Sequence, residues 1–253
     1  MIPIALTIAG SDPSGGAGLQ ADLKTFHQFG VYGQAAVTLI TVQNTLGVTQ
    51  VQLLDEALVL AQVEAVLSDI GPHAIKTGAL GSESLIEALA CRARTWNIPL
   101  VIDPVLFSKN GTRLSAASPQ PLFPFAALVT PNLPEAAELT GRPVRTIPEM
   151  RIAARALADL GARAVLVKGG HLEDELSVDL LFHEGIFTEF PAARIHTQHT
   201  HGTGCTYSAA ITALLACGLD LRSATARAKA YITEAIRTNP GLGAGHGPVN
   251  HWA

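Results

Sequence analysis

A glycine-rich turn ahead of an apolar segment is the stretch of this sequence that most clearly carries chemistry. Gly202, Thr203 and Gly204 precede a run from Tyr207 to Cys217 that predicts a helix. The first N–H groups of a helix have no partner within it, and they lie at the positive end of its dipole. The turn therefore predicts an anion hole built from backbone donors, each contributing about 3 kcal/mol when aimed at developing charge in a dry site.

Cys205 stands in the first turn of the same predicted helix. A helix N-terminus lowers the pKa of a thiol from about 8.5 toward roughly 3.5 to 7.5. Cys205 is therefore a candidate base or nucleophile, and a packed, inert cysteine is an equally good interpretation of its position. The other two cysteines, Cys91 and Cys217, fall inside helical patterns, and we interpret both as packed in the core.

Polar side chains follow several of the predicted strands. Lys168 leaves an apolar run directly into two glycines, and a lysine held there needs a carboxylate or phosphate partner. Asp103, Asn132 and Glu135 follow strand ends in the same way, and oxygen ligands of this kind suit Mg²⁺ carrying phosphates. A helix cap or a turn is the alternative for each. Together with the anion hole, these groups predict phosphoryl transfer, which depends mainly on positioning and charge neutralisation.

The first glycine-rich turn, from Gly10 to Gly18, is less specific. It contains the dinucleotide pattern GxGxxA, but too far beyond the strand and without an acidic residue after the second strand, so we reject a Rossmann site. Glycines let backbone N–H groups approach an anion or a flat ring, and Asp22 follows at a position that could face the same space. A plain turn followed by a solvated aspartate is the alternative.

Histidines are frequent near these turns. His196, His199 and His201 lie close together, but their spacing matches no usual zinc framework, and we predict no zinc site. His171 follows the Lys168 turn and is either a pocket residue or a solvated loop residue.

The elements that position these residues follow from the periodicity of the sequence. Short apolar or β-branched runs alternate with longer segments of helical period, which predicts a mostly parallel sheet covered by helices. Ligands bind outside the carboxyl ends of the strands in such sheets, so the turns above face one site. We predict strands at Ile4 to Ala9, Ala35 to Val42, Ala74 to Thr77, Leu100 to Asp103, Ala127 to Thr130, Ala164 to Lys168 and Val178 to Phe182.

Capping residues mark the beginnings of several helices. Asp55, Ser82 and Asp220 are N-cap candidates, and Thr146 has the spacing of a capping box with Glu149. A hairpin around Gly185 is predicted at a sheet edge. No repeat, low-complexity tract or linker divides the chain, so we expect one α/β domain over residues 1–253.

Composition excludes several classes of protein. The 253 residues carry 17 Lys and Arg against 21 Asp and Glu, so a strongly basic nucleic-acid binder is excluded. With 48% hydrophobic and 15% charged residues, disorder is excluded too. No apolar run of about 18 residues suggests a membrane span, and the N-terminus predicts a strand rather than a signal peptide. An odd number of cysteines without CxxC spacing indicates a reduced, cytoplasmic protein.

Five motifs make the sequence recognisable. "ALTIAGSDPSGGAGLQADLKTF", "VQNT", "TPNLPEAAELTG", "VLVKGGH" and "HGTGCT" closely resemble the bacterial hydroxymethylpyrimidine and phosphomethylpyrimidine kinases of thiamine biosynthesis, which are ribokinase-like. The resemblance implies a three-layer α/β/α domain without a separate lid domain, a cytoplasmic homodimer, and ATP and Mg²⁺ as cofactors. It also implies phosphorylation of 4-amino-5-hydroxymethyl-2-methylpyrimidine and then of its monophosphate.

The same motifs imply roles for individual residues. Gln43 and Asp22 match the residues that hold the pyrimidine, and an amide suits an aminopyrimidine edge because it both donates and accepts. Gly10 and Ala17 match positions against the ring. The remaining implied roles are catalysis for Cys205, Lys168, Gly202 and Gly204, nucleotide binding for Lys168, Thr203 and Asn132, and metal binding for Asp103 and Glu135.

Two departures from the family pattern and two rival functions remain. Ala79 replaces a methionine that is common in the family, and Cys205 stands where the wider superfamily has aspartate. A pyridoxal or pyridoxine kinase is the main alternative, because its substrate ring also carries a hydroxymethyl group, but Gln43 favours the aminopyrimidine. A non-catalytic pyrimidine-binding module is disfavoured, because it should have lost Lys168 or the anion-hole glycines.

Overall fold

A single mixed sheet forms the middle of the molecule. The computed structural model describes residues 2–107, 111, 117–170 and 175–253, and His171 lies outside them. Across the described residues the strands stand in the order β3-β2-β1-β4-β5-β6-β7-β8-β9. Their bounds are β1 Ile4–Ser11, β2 Tyr32–Asn44, β3 Gly47–Leu53, β4 Ala74–Thr77, β5 Leu100–Ile102, β6 Leu128–Val129, β7 Ala164–Val167, β8 Leu176–His183 and β9 Ile186–Ala193.

The centre of the sheet is parallel and its edges are antiparallel. Strands β2, β1, β4, β5, β6 and β7 pair in parallel, while β3, β8 and β9 pair antiparallel. This confirms the predicted mostly parallel α/β sheet. The hairpin around Gly185 is present, with a φ of 77° at that glycine. Strand β3 was not predicted, because its polar residues Thr49, Gln50 and Gln52 are exposed at the sheet edge and give no apolar run.

Helices cover both faces of the sheet and complete three layers. Helices α2, α3, α4 and α5 pack with a 3₁₀ helix, Gln120–Phe125, in the core on one face, and α1, α6 and α7 pack on the other. The bounds are α1 Gly18–Gln28, α2 Glu56–Asp69, α3 Glu83–Ala93, α4 Leu133–Thr140, α5 Ile147–Asp159, α6 Thr203–Ala216 and α7 Leu221–Arg237. In the described ranges no helix is both long and apolar enough to span a bilayer.

The predicted caps set the beginnings of these helices. Asp55, Ser82 and Asp220 each accept backbone N–H groups of the turn that follows them. Thr146 and Glu149 form the predicted capping box of α5. Local sequence alone therefore determines where these helices begin, as expected for caps worth about 1 kcal/mol each.

The prediction that Cys91 and Cys217 are packed in the core was wrong. Both side chains are exposed. Cys91 lies on the outward side of α3, whose buried residues are Leu85, Ile86, Leu89, Ala90 and Ala93. Cys217 is the C-cap of α6 and follows its last buried turn.

Candidate active site

One cavity lies at the carboxyl edge of the sheet, where β1, β4, β5, β6 and β7 end and α6 begins. Its volume is about 810 Å³. Every site residue named from the sequence lines it except Asp22; these are Gly10, Ala17, Gln43, Asp103, Asn132, Glu135, Lys168, Gly202, Thr203, Gly204 and Cys205. The parallel order of the strands brings together residues that are far apart in the sequence.

The turn before α6 is locked by a close approach between two glycine-rich turns. Gly202 is the N-cap of α6 with a φ of 78°, and a Cβ there would overlap the carbonyl oxygen of Gly16. Thr203 donates both its N–H and its hydroxyl to the Thr200 carbonyl, at 3.3 and 2.7 Å. In the described part of the chain, the backbone N–H groups of Gly204 and Cys205 have no acceptor. These two N–H groups are the donors available for the predicted anion hole, while the Thr203 N–H closes the turn.

Lys168 contacts a carboxylate across the cavity. Its Nζ donates to Asp103 Oδ1 at 2.9 Å, and a Cβ on Gly204 would lie 3.3 Å from the same Nζ. Asp103 also accepts from the hydroxyls of Thr130 and Ser208, at 3.2 and 3.1 Å. Burial would lower the pKa of Lys168, but the charges of Asp103 and Glu135 outweigh it and raise that pKa. The lysine therefore stays protonated beside the anion hole.

Asn132 and Glu135 form a helix cap at the edge of the cavity. Asn132 Oδ1 accepts the N–H of Glu135 at 2.9 Å, and Glu135 Oε2 accepts the N–H of Asn132 at 2.8 Å, which is a capping box for α4. Both residues also line the cavity. Burial raises the pKa of Glu135 to about 7, with Lys168 opposing and Asp103 adding to the rise.

The carboxylates at this edge fit a magnesium ion. The described residues hold no cluster of three or more His, Cys, Asp or Glu side chains that would coordinate a metal unaided. Mg²⁺ usually takes only one or two carboxylates and completes its shell with water and substrate phosphates. Asp103 and Glu135 line the same cavity, and their mutual repulsion, which adds to the effect of burial on the Glu135 pKa, is of the kind that a divalent cation relieves.

Asp22 lies behind the cavity rather than at its surface. Its side chain is fully buried and accepts from the Thr7 hydroxyl at 2.6 Å and from Lys76 Nζ at 3.1 Å. Lys76 is also fully buried by neighbouring side chains, yet it lines the cavity. The implied contact of Asp22 with the pyrimidine stays a prediction, because Asp22 does not line the cavity itself but its Oδ1 has no partner among the described residues. Its Oδ2 contacts Lys76, which does line the cavity.

The environment of Cys205 opposes the lowered thiol pKa expected from the helix N-terminus. Burial raises the pKa of Cys205 to about 12. The positive charge of Lys76 and a hydrogen bond from the Gly18 N–H lower it, while the charges of Asp22 and Asp103 raise it further. The sequence left open a reactive thiol and a packed, inert one, and burial here raises the thiol pKa instead of lowering it. The thiol is protonated at neutral pH.

Gln43 also lines the cavity and is held there by a chain of polar contacts. Its Oε1 accepts from the Thr41 hydroxyl at 3.2 Å, and its Nε2 lies 3.3 Å from His201 Nε2. His201 Nε2 in turn lies 2.7 Å from Asp12 Oδ2, and the same oxygen accepts the N–H of Ala17 at 2.9 Å. Burial would raise the pKa of Asp12, but hydrogen bonds from His201 and Ser14 lower it.

Comparison with known proteins identifies the family. The family model described as phosphomethylpyrimidine kinase matches residues 12–250. The chain belongs to the phosphomethylpyrimidine kinase family. The residues predicted for substrate, nucleotide and metal binding, apart from Asp22, therefore line one cavity in a member of this family.

The sequences of three relatives match this family member along nearly its whole length. It is 47% identical to the hydroxymethylpyrimidine/phosphomethylpyrimidine kinase of Rhizobium meliloti, over 100% of this chain and 98% of that protein. The Bacillus subtilis kinase of the same name is 42% identical, over 98% and 94%. Identity to the thiamine biosynthesis bifunctional protein ThiED of Geobacter sulfurreducens is 50% over 97% of this chain, which spans about half (51%) of that protein.

Solved structures confirm the ribokinase-like fold of this phosphomethylpyrimidine kinase family member. The pyridoxal kinase from Staphylococcus aureus in complex with ADP superposes with a TM-score of 0.92 at 38% identity, over 100% of this chain and 94% of that one. The phosphomethylpyrimidine kinase from Clostridium difficile superposes with a TM-score of 0.81 at 42% identity, over 93% and 100%.

Several polar residues of the phosphomethylpyrimidine kinase site escaped the sequence analysis. Lys76 had a usable signal, because it is the charged residue of a four-residue, fully buried strand. Asp12 and His201 had none, since their contact joins residues 189 positions apart. Ser208 had none either, because its hydroxyl also bonds the carbonyls of Gly204 and Cys205 within its own helix.

Proposed function

We propose that this chain transfers a phosphoryl group from ATP to 4-amino-5-hydroxymethyl-2-methylpyrimidine and then to the resulting monophosphate. One observation carries the proposal: a single cavity is lined by an oriented amide, Gln43, and by Lys168, Gly204 and the two carboxylates Asp103 and Glu135. The names of the relatives from Rhizobium meliloti and Bacillus subtilis support both steps.

The part of the cavity lined by Gln43, Gly10 and Ala17, called the ring end here, selects the acceptor. Gln43 offers both a donor and an acceptor to an aminopyrimidine edge, and the contacts with Thr41 and His201 restrict how its amide turns. Gly10 and Ala17 form the wall against which the ring packs. A Cβ on Gly10 would lie 2.5 Å from Leu39 Cδ1, so glycine lets this turn pack against Leu39.

The part of the cavity lined by Lys168, Gly204 and Cys205, called the phosphate end here, neutralises the charge of the transferring phosphoryl group. The N–H groups of Gly204 and Cys205 and the Nζ of Lys168 face the space where the transferring group lies, with Thr203 and Asn132 placing the turns around the nucleotide. Asp103 and Glu135 would hold Mg²⁺, which supplies charge neutralisation for the nucleotide phosphates when it is bound. In a loose transition state the nucleophile needs little activation, so these contacts provide most of the catalysis.

Cys205 is the proposed proton acceptor for the hydroxymethyl group. Its thiol lines the cavity beside the anion hole, and Lys76 is the cation that favours its ionised form. Because its pKa is raised to about 12, only a small thiolate fraction is present at neutral pH. The proton leaves late, when most of the bond to the leaving group is broken.

A direct assay tests the proposal. ATP consumption is measured with the hydroxymethylpyrimidine, with its monophosphate and with pyridoxal, each with and without Mg²⁺. We expect turnover of both pyrimidines and dependence on Mg²⁺. Absence of turnover with the monophosphate would overturn the two-step function.

Pyridoxal phosphorylation is the second candidate activity. The pyridoxal kinases of Staphylococcus aureus and Bacillus subtilis superpose with TM-scores of 0.92 and 0.90. Ala79, which is small, lines the cavity and leaves room for a second ring type. A higher kcat/KM for pyridoxal than for hydroxymethylpyrimidine would assign the chain to vitamin B6 metabolism instead.

We also propose that the chain is one domain, forms a homodimer and acts in the cytoplasm. Apolar side chains on the β2–β3 edge support the dimer, since Tyr32, Val42 and Leu46 are 54%, 54% and 67% exposed. The nine strands of the described residues all belong to one continuous sheet, which supports a single domain.

A further inference from the structure

A buried ion pair lines the same cavity and is formed by two residues that have no role assigned above. Lys229 Nζ of α7 lies 2.7 Å from Asp179 Oδ2 of β8, and the two side chains are only 10% and 3% exposed. Replacing a buried pair by apolar side chains is often neutral or stabilising, so stability alone does not account for it. The contact made by the other carboxylate oxygen of Asp179 indicates a further role for this residue.

Asp179 Oδ1 accepts the backbone N–H of Gly169, at 2.8 Å. Strands β7 and β8 pair up to Val167 opposite Leu180, so Lys168 and Asp179 are the next residues along the two strands. Just after β7 ends, the Asp179 carboxylate takes the place of a backbone carbonyl of β8 as the acceptor of the Gly169 N–H. Asp179 thus fixes the direction in which the chain leaves the sheet immediately after Lys168.

Lys168 is consequently held by a backbone bond on each side. Its own N–H donates to the Pro131 carbonyl at 2.8 Å, and the next N–H donates to Asp179. With the backbone fixed at both amides, the side chain is aimed across the cavity at Asp103 and the anion hole. A carboxylate buried without a counter-charge would be costly, and Lys229 supplies that charge.

We propose that Asp179 is a positioning residue that orients Lys168 toward the transferring phosphoryl group, with Lys229 as its counter-charge. The inference rests on the proposed function, because it takes Lys168 as the phosphate-contacting lysine. It does not depend on which acceptor ring is phosphorylated.

Two matched double variants isolate the hydrogen bond from the ion pair. Both D179N/K229M and D179L/K229M lose the two charges, but only asparagine keeps an oxygen for the Gly169 N–H. We expect D179L/K229M to lower kcat by about 10²-fold, the effect of misplacing a group by about 1 Å, with little change in KM for the acceptor. D179N/K229M should recover most of that kcat.

The measurement uses whichever of hydroxymethylpyrimidine or pyridoxal the parent chain phosphorylates, with thermal unfolding of each variant as the control for folding. D179A/K229M replaces the leucine variant if that variant does not fold. Equal kcat values for the asparagine and leucine variants would overturn the inference. A parent chain that phosphorylates neither ring would instead overturn the proposed function.

A second arm tests whether Asp179 acts through Lys168. The two double variants are repeated in a Lys168→Ala background. If Asp179 serves only to aim this lysine, the kcat difference between the asparagine and leucine variants disappears there. Persistence of the full difference without Lys168 would show that Asp179 acts by another route, and would overturn the inference.

Discussion

At the scale of single residues, the site places its charges in opposed pairs. Lys168 contacts Asp103 at 2.9 Å and Lys76 contacts Asp22 at 3.1 Å, so each lysine has a carboxylate until a phosphate arrives. Burial would lower the pKa of Lys76, yet Asp22, Cys205 and Asp103 raise it to about 12. Both lysines thus remain cationic in the working range of pH, ready to contact an anionic substrate.

The raised pKa of Cys205 gives a prediction about pH. A general base acts in its deprotonated form, so a thiol with a pKa of about 12 loses activity as pH falls and gains it as pH rises. We expect the single-turnover rate to increase steadily from pH 7 to 9.5. Cys205→Asp, whose carboxylate is a base with a much lower pKa, should flatten that slope.

Cys205→Ala provides the matched control for this prediction. Removal of a general base lowers the rate by about 10²- to 10⁴-fold. If the alanine variant turns over at a near-normal rate, or if the wild-type rate does not depend on pH, the anion hole and Lys168 suffice and the thiol is not the base.

At the scale of elements, the site depends on how two glycine-rich turns fit together. Gly202 at the start of α6 lies against the carbonyl of Gly16, and His201 contacts Asp12 across the same junction. Helix α6 is buried along most of its length between α1 and α7, so its N-terminus is held in place. The donors of the anion hole are therefore set before any ligand binds.

The close approach at Gly202 predicts an unusually damaging substitution. Gly202→Ala adds a methyl group both at a positive φ of 78° and against the Gly16 carbonyl. Gly141→Ala is the control, because Gly141 has a φ of 66° with nothing within 4 Å of the added Cβ. We expect the control to lose about 1 kcal/mol of unfolding free energy, and Gly202→Ala to lose more and to lose activity. Urea unfolding of the two variants measures the loss of unfolding free energy in each. Equal losses would contradict this prediction.

At the scale of the whole molecule, the long β2–β3 edge stands out because it exposes apolar side chains. Ile40 and Val42 are two residues apart and therefore lie on the same face of β2, where they are 47% and 54% exposed. An exposed apolar patch of this kind on the face of β2 is unfavourable unless another surface covers it.

The dimer proposal predicts a defined response at this edge. Val42→Glu should convert a dimer to a monomer, because it places a charge in an apolar contact, and light scattering after size-exclusion chromatography measures the mass. Ile152→Glu is the matched control, since Ile152 is similarly exposed, at 53%, but lies on α5. A wild-type chain that is monomeric at micromolar concentration would contradict the proposal.

The sequence by itself determined the local features and the family. Caps such as Asp55 and Thr146 act on their own helices, and the apolar runs of β1, β4, β5 and β7 are intrinsic to strands buried on both faces. The glycines, Lys168 and the residues after strand ends were identifiable because the parallel sheet brings all strand ends to one edge.

Only the tertiary structure decided which polar groups meet and what protonation they have. The contacts of His201 with Asp12 and of Lys229 with Asp179 join distant segments and leave no mark on local spacing. Cys205 lies in the first turn of a helix, which favours a low pKa, but burial in the folded chain and the charges of Asp22 and Asp103 raise that pKa. Desolvation depends on every neighbour in space, and that information is absent until the chain is folded.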